Sequence, residues 1–258
     1  MGYRNYSTNA FEKKYTYFGN DLGAKWTKEE TIFRVWAPTA EQVLLNFYQT
    51  GDPDKEDLIE QIPMRKNVKG TWRLLKEGDL NGIYYTYSVL RDGEMIEAAD
   101  PYAKAAGVNG VRSMVIDLSA TNPAGWEEDK NPNTKKNPTD AIIYELHIRD
   151  LSMDEYSGIE NKGKFLGLTE LGTKTPAGYA TGLSHMKELG ITHLHLLPVY
   201  DYGSVDESKL NESQFNWGYD PANYNIPEGS YSTDPFHGEV RVKEMKQMVK
   251  TLHENGIS

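Results

Sequence analysis

Cysteine is absent from the 258 residues. That excludes disulfides, thiol catalysis and thiolate metal sites, and it leaves the redox compartment open. Basic side chains are in short supply: 28 Lys and Arg stand against 38 Asp and Glu, a net charge of −10. No basic stripe exists to displace counterions, so nucleic acid is excluded as a main partner, and a neutral or cationic ligand fits better. No apolar run approaches the roughly 18 residues of a membrane span, so no membrane partner is expected. The opening MGYRNYSTNAFEKK lacks an apolar core, so no signal peptide is expected in this chain. Its location stays open between the cytoplasm and secretion.

What is present is ordinary globular material, with 38% hydrophobic residues. The length suits one large domain or two of common size. Charge is uneven: residues 1–126 hold 15 basic and 17 acidic side chains, and residues 127–258 hold 13 and 21. The seam coincides with the polar, proline-containing stretch Glu127–Asp140, which reads as a linker. Three parts are therefore expected: 1–126, a linker over 127–140, and 141–258.

The first part reads as all-β. Short runs recur at Thr31–Trp36, Gln42–Tyr48, Thr71–Leu75, Ile83–Leu90, Glu94–Ala98 and Met114–Leu118. Val43, Leu45 and Phe47 share one face, as do Ile83, Tyr85, Tyr87 and Val89, the period of two that marks half-buried strands. Asp92-Gly93 suits a type I′ hairpin, because both central residues need positive φ. Six or more short strands in about 90 residues predict a β-sandwich.

The second part changes style. Ala141–Ile148 reads as a strand; Tyr179, Leu183, Met186 and Leu189 follow at helical spacing with Gly190 as C-cap; Ile191–Leu197 is the next strand; and Val242, Met245, Val249 and Leu252 trace a helix stopped by Asn255-Gly256. That is two βα units of a parallel sheet. The links after the strands, Arg149–Pro176 and Pro198–His237, are long, as on the binding face of a βα-barrel. A whole (β/α)8 barrel needs roughly 250 residues, and only two of its strands are legible here.

The densest chemical signal is Phe215–Pro235, FNWGYDPANYNIPEGSYSTDP. Rigid turns carrying Trp217, Tyr219, Tyr224 and Tyr231 suit a sugar, whose C–H face stacks on rings while amides and carboxylates bind its hydroxyls. The competing reading is a loop that packs its aromatics against the barrel rim.

The run Asn-Trp-Gly-Tyr-Asp-Pro, followed by Asn-Tyr-Asn-x-Pro-Glu-Gly-Ser-Tyr, closely resembles the signature of type I pullulanases in the α-amylase superfamily. IIYELHIRDLS (142–152) is similar to that family's first barrel strand, THLHLLPVY (192–200) to its second, and Arg241–Gly256 to its second barrel helix. Thr31–Val43 and Asp100–Gly110 resemble the immunoglobulin-like, starch-binding-like sandwich of carbohydrate-binding module family 48 that precedes the barrel. The resemblance implies a sandwich followed by the first two βα units of a (β/α)8 barrel, and α-1,6-glucosidic hydrolysis in pullulan and branched maltooligosaccharides. By motif it implies that Tyr219 stacks on the glucose at the cleavage subsite, that Asp220 bonds a hydroxyl or supports one that does, and that Trp217 shapes the loop or an adjacent subsite.

A retaining glycosidase also needs a carboxylate nucleophile and a carboxylic acid. The family supplies these from later barrel strands, beyond Ser258, so no catalytic residue is assigned; Asp150, Asp201 and Glu228 do not match those positions. The chain alone is expected to be inactive, a glucan-binding or folding-partner fragment, with the remainder of the barrel as its partner, in a separate chain or otherwise. An isoamylase-like debranching enzyme is the alternative within the superfamily. No cofactor is expected. Glu145, His147 and Arg149 alternate and would face one way as a paired network inside the barrel. His193 and His195 form an H-x-H pair, but no third ligand lies at suitable spacing, so no metal is assigned. Asp52, Asp54, Glu56 and Asp57 lack the glycine of a calcium loop and read as a solvated turn. Trp26, Trp72 and Trp126 read as core rather than glucan platforms.

Overall fold

A short helix, α1 (Asn9–Tyr15), precedes nine strands: β1 (Gly23–Trp26), β2 (Glu30–Trp36), β3 (Gln42–Tyr48), β4 (Leu58–Pro63), β5 (Arg65–Lys66), β6 (Thr71–Glu77), β7 (Tyr84–Arg91), β8 (Glu94–Ala98) and β9 (Ser113–Met114). These come from a computed structural model that describes residues 6–134 and 137–258; Lys135 and Lys136 of the expected linker lie outside the described residues. The chain divides into two compact units, Met1–Ala103 with Val111–Asp117, and Lys104–Gly110 with Leu118–Ser258. The seam in charge at residue 126 thus falls inside the second unit.

In the first unit, β1-β2-β6-β5 form one antiparallel sheet and β4-β3-β7-β8 another, with β9 on the same edge of β7 as β8. The two sheets face each other across Phe33, Val35, Val43, Leu45, Phe47, Trp72, Tyr85 and Tyr87. This is the alternation of β3 and β7 expressed as a sandwich core. Phe33 meets Phe47 and Tyr85 edge-on at 5.4 and 5.0 Å. The Tyr85 and Tyr87 hydroxyls both donate to buried Asp100. Asp92 and Gly93 take φ of +53° and +79°, as the hairpin requires.

Several readings need correction. Of the expected strand Met114–Leu118, only Met114 joins a ladder, together with the preceding Ser113. β4 was not foreseen, because as an almost wholly exposed edge strand it has no apolar alternation to detect. Asp57 is no solvated turn residue: Arg112 Nη1 donates to it at 2.7 Å, and Thr50 supplies two further donors.

The second unit contains β10 (Ile143–Leu146), α2 (Ile148–Ser152), α3 (Gly182–Leu189), β11 (His193–Leu196), β12 (Tyr200–Tyr202), β13 (Pro221–Pro227) and α4 (Gly238–Glu254). β10 and β11 are parallel, with Ile143 opposite His193 and Leu146 opposite Leu196. Tyr144, Leu146, Leu194 and Leu196 join a core with Leu183 and Met186 of α3 and Met248 and Leu252 of α4. The other face carries Ile143, Glu145, His193 and His195; Glu145 and His195 form an exposed pair at 3.4 Å. On the far side of β11, Ser258 N donates to Thr192 O and Ser258 O accepts from Leu194 N, the bonding of a parallel neighbour.

Here too the structure differs from the pattern. Tyr179 lies outside α3 and is exposed, because Thr175 and Tyr179 close a turn through Gly178, which sits at φ +88°. Glu145, His147 and Arg149 do not form one row. The strand ends at Leu146, and His147 becomes the N-cap of α2 by accepting the Asp150 amide on Nδ1. In α4 the buried stripe runs through Arg241, Val242, Met248 and Leu252, while Met245 and Val249 are half-buried.

Candidate functional site

The long link after β11 is built, not loose. β12 and β13 pair antiparallel, Tyr200 opposite Pro227 and Tyr202 opposite Pro221, with register shifts between them. Residues 203–220 form an excursion at the tip of this ribbon. At its end, Asn216 organises the backbone: its Oδ1 accepts from Gly218 N at 2.9 Å and its Nδ2 donates to Asp220 Oδ1 at 2.5 Å. Ser204 Oγ donates to the other carboxylate oxygen of Asp220. The Ser204 bond, with that of Asn216, holds the Asp220 carboxyl below the usual carboxylate range, against a small desolvation cost. Gly218 takes φ +87°, and a Cβ there would lie 3.0 Å from Pro198 Cβ, so the turn accepts only glycine without strain.

This turn presents its rings outward. Trp217 is 61% exposed and Tyr219 is 67% exposed, large fractions for aromatic side chains. Tyr224 is also exposed, with its ring 5.3 Å from that of Tyr200. Tyr231, by contrast, is buried among Tyr202, Phe165 and His147. The sequence therefore mixed two populations of aromatic residue. One packs the loop against the unit, and the other is free to meet a flat apolar ligand.

Beneath the ribbon lies a buried ionic floor. Arg241 of α4 donates through Nη1 to Asp201 Oδ1 at 2.9 Å and to Pro227 O. Through Nη2 it donates to Glu207 Oε2 at 2.8 Å and to Gly107 O and Pro235 O. Glu207 further accepts from Asn109 N and Gly229 N, and Asp201 from Asn223 Nδ2. Glu228 accepts from Tyr202 N and Ser230 N. Burial pushes the carboxyls of Asp201 and Glu207 up, against the pull of Arg241. Glu228, buried and beside Glu207, is pushed up to about 8. Asp201, Glu207 and Glu228 are the one group among the described residues with metal-type donors close together, within 4.8 Å. Two of the three are bonded to the guanidinium, so their chemistry is that of an ion-pair floor.

Of the residues singled out by motif, Trp217, Tyr219 and Asp220 are brought together on one turn. Asp201 and Glu228 lie in the floor below, closed to solvent, and Asp150 sits beside His147 at 3.7 Å. His193 bonds Thr192 and His195 faces Glu145. Two functional features escaped the sequence reading. Arg241 could have been found, since it stands seven residues before Met248 and eleven before Leu252, on the buried stripe. The bond from His147 Nε2 to Asn216 O, 69 residues apart, has no local signal.

Residues 21–103 match the family of carbohydrate-binding module 48, the isoamylase N-terminal domain. The chain is 40% identical over 250 residues to a pullulanase of Bacillus subtilis, covering 97% of this chain and 33% of that protein. It superposes with a TM-score of 0.94 and 51% identity on a pullulanase of Paenibacillus barengoltzii solved with maltohexaose and α-cyclodextrin, covering 97% of this chain and 38% of that one. A pullulanase of Bacillus acidopullulyticus superposes with a TM-score of 0.90 at 47% identity, covering 95% and 29% of the two chains. The chain is similar to the N-terminal portion of type I pullulanases. It spans a fifth to a third of the length of the curated pullulanases it matches, 33% and 27% for the first two. Among the described residues, no helix is long and apolar enough to cross a membrane.

Proposed function

We propose that the protein carrying this chain hydrolyses α-1,6-glucosidic bonds of pullulan and branched starch fragments, and that this chain supplies part of the glucan site. The observation that carries the reading is the turn Asn216–Asp220, which holds Tyr219 and Trp217 exposed at the end of a braced ribbon. Tyr219 stacks on the glucose at the cleavage subsite, Trp217 borders it, and Asp220 fixes the turn and reaches sugar hydroxyls. Similarity to a pullulanase solved with maltohexaose supports this assignment.

β10 and β11 are read as the first two strands of a (β/α)8 barrel. The exposed face of Ile143 and Glu145 supports that reading, because parallel strands are normally covered on both sides. The other strands of that barrel carry the nucleophile and the acid of a retaining double displacement. The carboxylates of the ionic floor are spent on Arg241 and on backbone amides, so the chain alone binds glucan without turnover. Release of maltotriose from pullulan by the full-length protein, and none by residues 1–258, is the expected result. Preference for glycogen outer branches over pullulan would move the assignment to an isoamylase-like debranching enzyme.

A further inference from the structure

We propose that His147 is a positioning residue for the glucan site, holding the turn that presents Trp217 and Tyr219; this rests on the glucan reading above. His147 sits where β10 stops, and its side chain is buried. Its Nδ1 accepts from Asp150 N at 3.4 Å, which assigns the single ring proton to Nε2. Nε2 lies 2.8 Å from Asn216 O and 3.1 Å from Tyr231 Oη, so the N–H donates to the carbonyl, with the tyrosine oxygen as a second acceptor. The imidazole also packs between the rings of Phe215, at 5.5 Å, and Tyr231, at 5.9 Å.

Asn216 is the residue that receives this bond, and it is also the residue that shapes the turn. Its side chain bonds Gly218 N and Asp220. A continuous path therefore runs from the end of a core strand, through one imidazole, to the backbone on either side of Trp217 and Tyr219. Both ring nitrogens are occupied and the side chain is buried, so His147 touches no sugar and acts only through the turn. A stacking platform works only when the ring is held at the sugar face, and an excursion of this length otherwise samples many positions.

Two substitutions separate this role from simple packing. His147→Asn keeps an acceptor near Nδ1 for the cap of α2 and loses the donor to Asn216. His147→Gln reaches the Nε2 position with an amide donor and loses the cap. In the full-length protein, His147→Asn should raise the Kd for maltotriose and the KM for pullulan by about tenfold, the loss of one well-placed hydrogen bond, with kcat changed less than about threefold. His147→Gln should stay within about threefold of the parent in both. Amide exchange across residues 203–220 should quicken in the Asn variant and not in the Gln variant. Equal rises in KM for both variants, or an Asn variant with parental KM and parental exchange, overturns the proposal. If the parent protein neither binds maltotriose nor cleaves pullulan, the glucan reading fails and this role fails with it; the exchange measurement still reports whether His147 holds the turn.

Discussion

Nη2 of Arg241 lies 2.8 Å from Oε2 of Glu207, and both side chains are shut off from water. With Asp201 as a second ion partner, this one guanidinium ties α4 to the start and the middle of the ribbon that carries the exposed rings. Removing one member of a buried ion pair strands the others without compensation. Arg241→Met should therefore cost about 3–5 kcal/mol of unfolding free energy. Urea titration of the full-length protein checks it, and a loss below about 1 kcal/mol would show that water reaches the floor.

Tyr219 gives a sharper test of the glucan site. The ring face, not the hydroxyl, does the stacking, so Tyr219→Phe should bind maltotriose nearly as the parent does. Tyr219→Ala should lose about 1–3 kcal/mol, by analogy with aromatic stacking on flat ligands elsewhere. Calorimetric titration with maltotriose measures both, and equal losses would remove the platform role.

Glu228 makes stability depend on pH. Its carboxyl is pushed up to about 8 in the folded chain from an ordinary value of 4.5. Between those values the folded state keeps a proton that the unfolded state has released. Stability from this group is therefore full below about pH 4.5, falls as pH rises towards 8, and is level beyond. Thermal midpoints measured from pH 5 to 8 should decline in the parent. The decline should flatten in Glu228→Gln, whose midpoint is lower throughout, because its amide meets a backbone N–H that the carboxyl accepted. An unchanged slope in the variant would assign the titration elsewhere.

The first unit needs its returning segment. Ser113 and Met114 complete an edge of β7, and Val115 is buried in the sandwich core. A fragment of residues 1–117 should unfold cooperatively. One ending at residue 103 should be less stable by about 2–3 kcal/mol, the burial of one or two apolar side chains, as read by denaturant midpoint.

How much of this was legible depends on the range of the interaction. β3 and β7 announce themselves, because each carries its own alternation, and Asp92-Gly93 marks the turn from β7 into the exposed β8. The turn at Asn216–Asp220 is also local: Gly218 and the short polar side chains around it write their own geometry. β4 was missed because an exposed edge strand has no buried face to encode. His147 was misread as a strand residue because nothing nearby shows that Asp150 offers its amide to the ring. Its bond to Asn216 and the grip of Arg241 on Glu207 join residues far apart in sequence, and such pairs exist only once the ribbon has folded back.

The backbone passes between the two units three times, at residues 103/104, 110/111 and 117/118. Gly107, Asn109 and Gly110 lie in the segment that crosses over, where they meet Arg241, Glu207 and Asn223. A recombination joint placed after Asp117 would carry those three residues away with the sandwich and graft a stranger's loop onto the ionic floor. The sandwich is thus not an exchangeable cassette. In any lineage that shuffles it, residues 104–110 and the partners of Arg241 must be inherited together or change together.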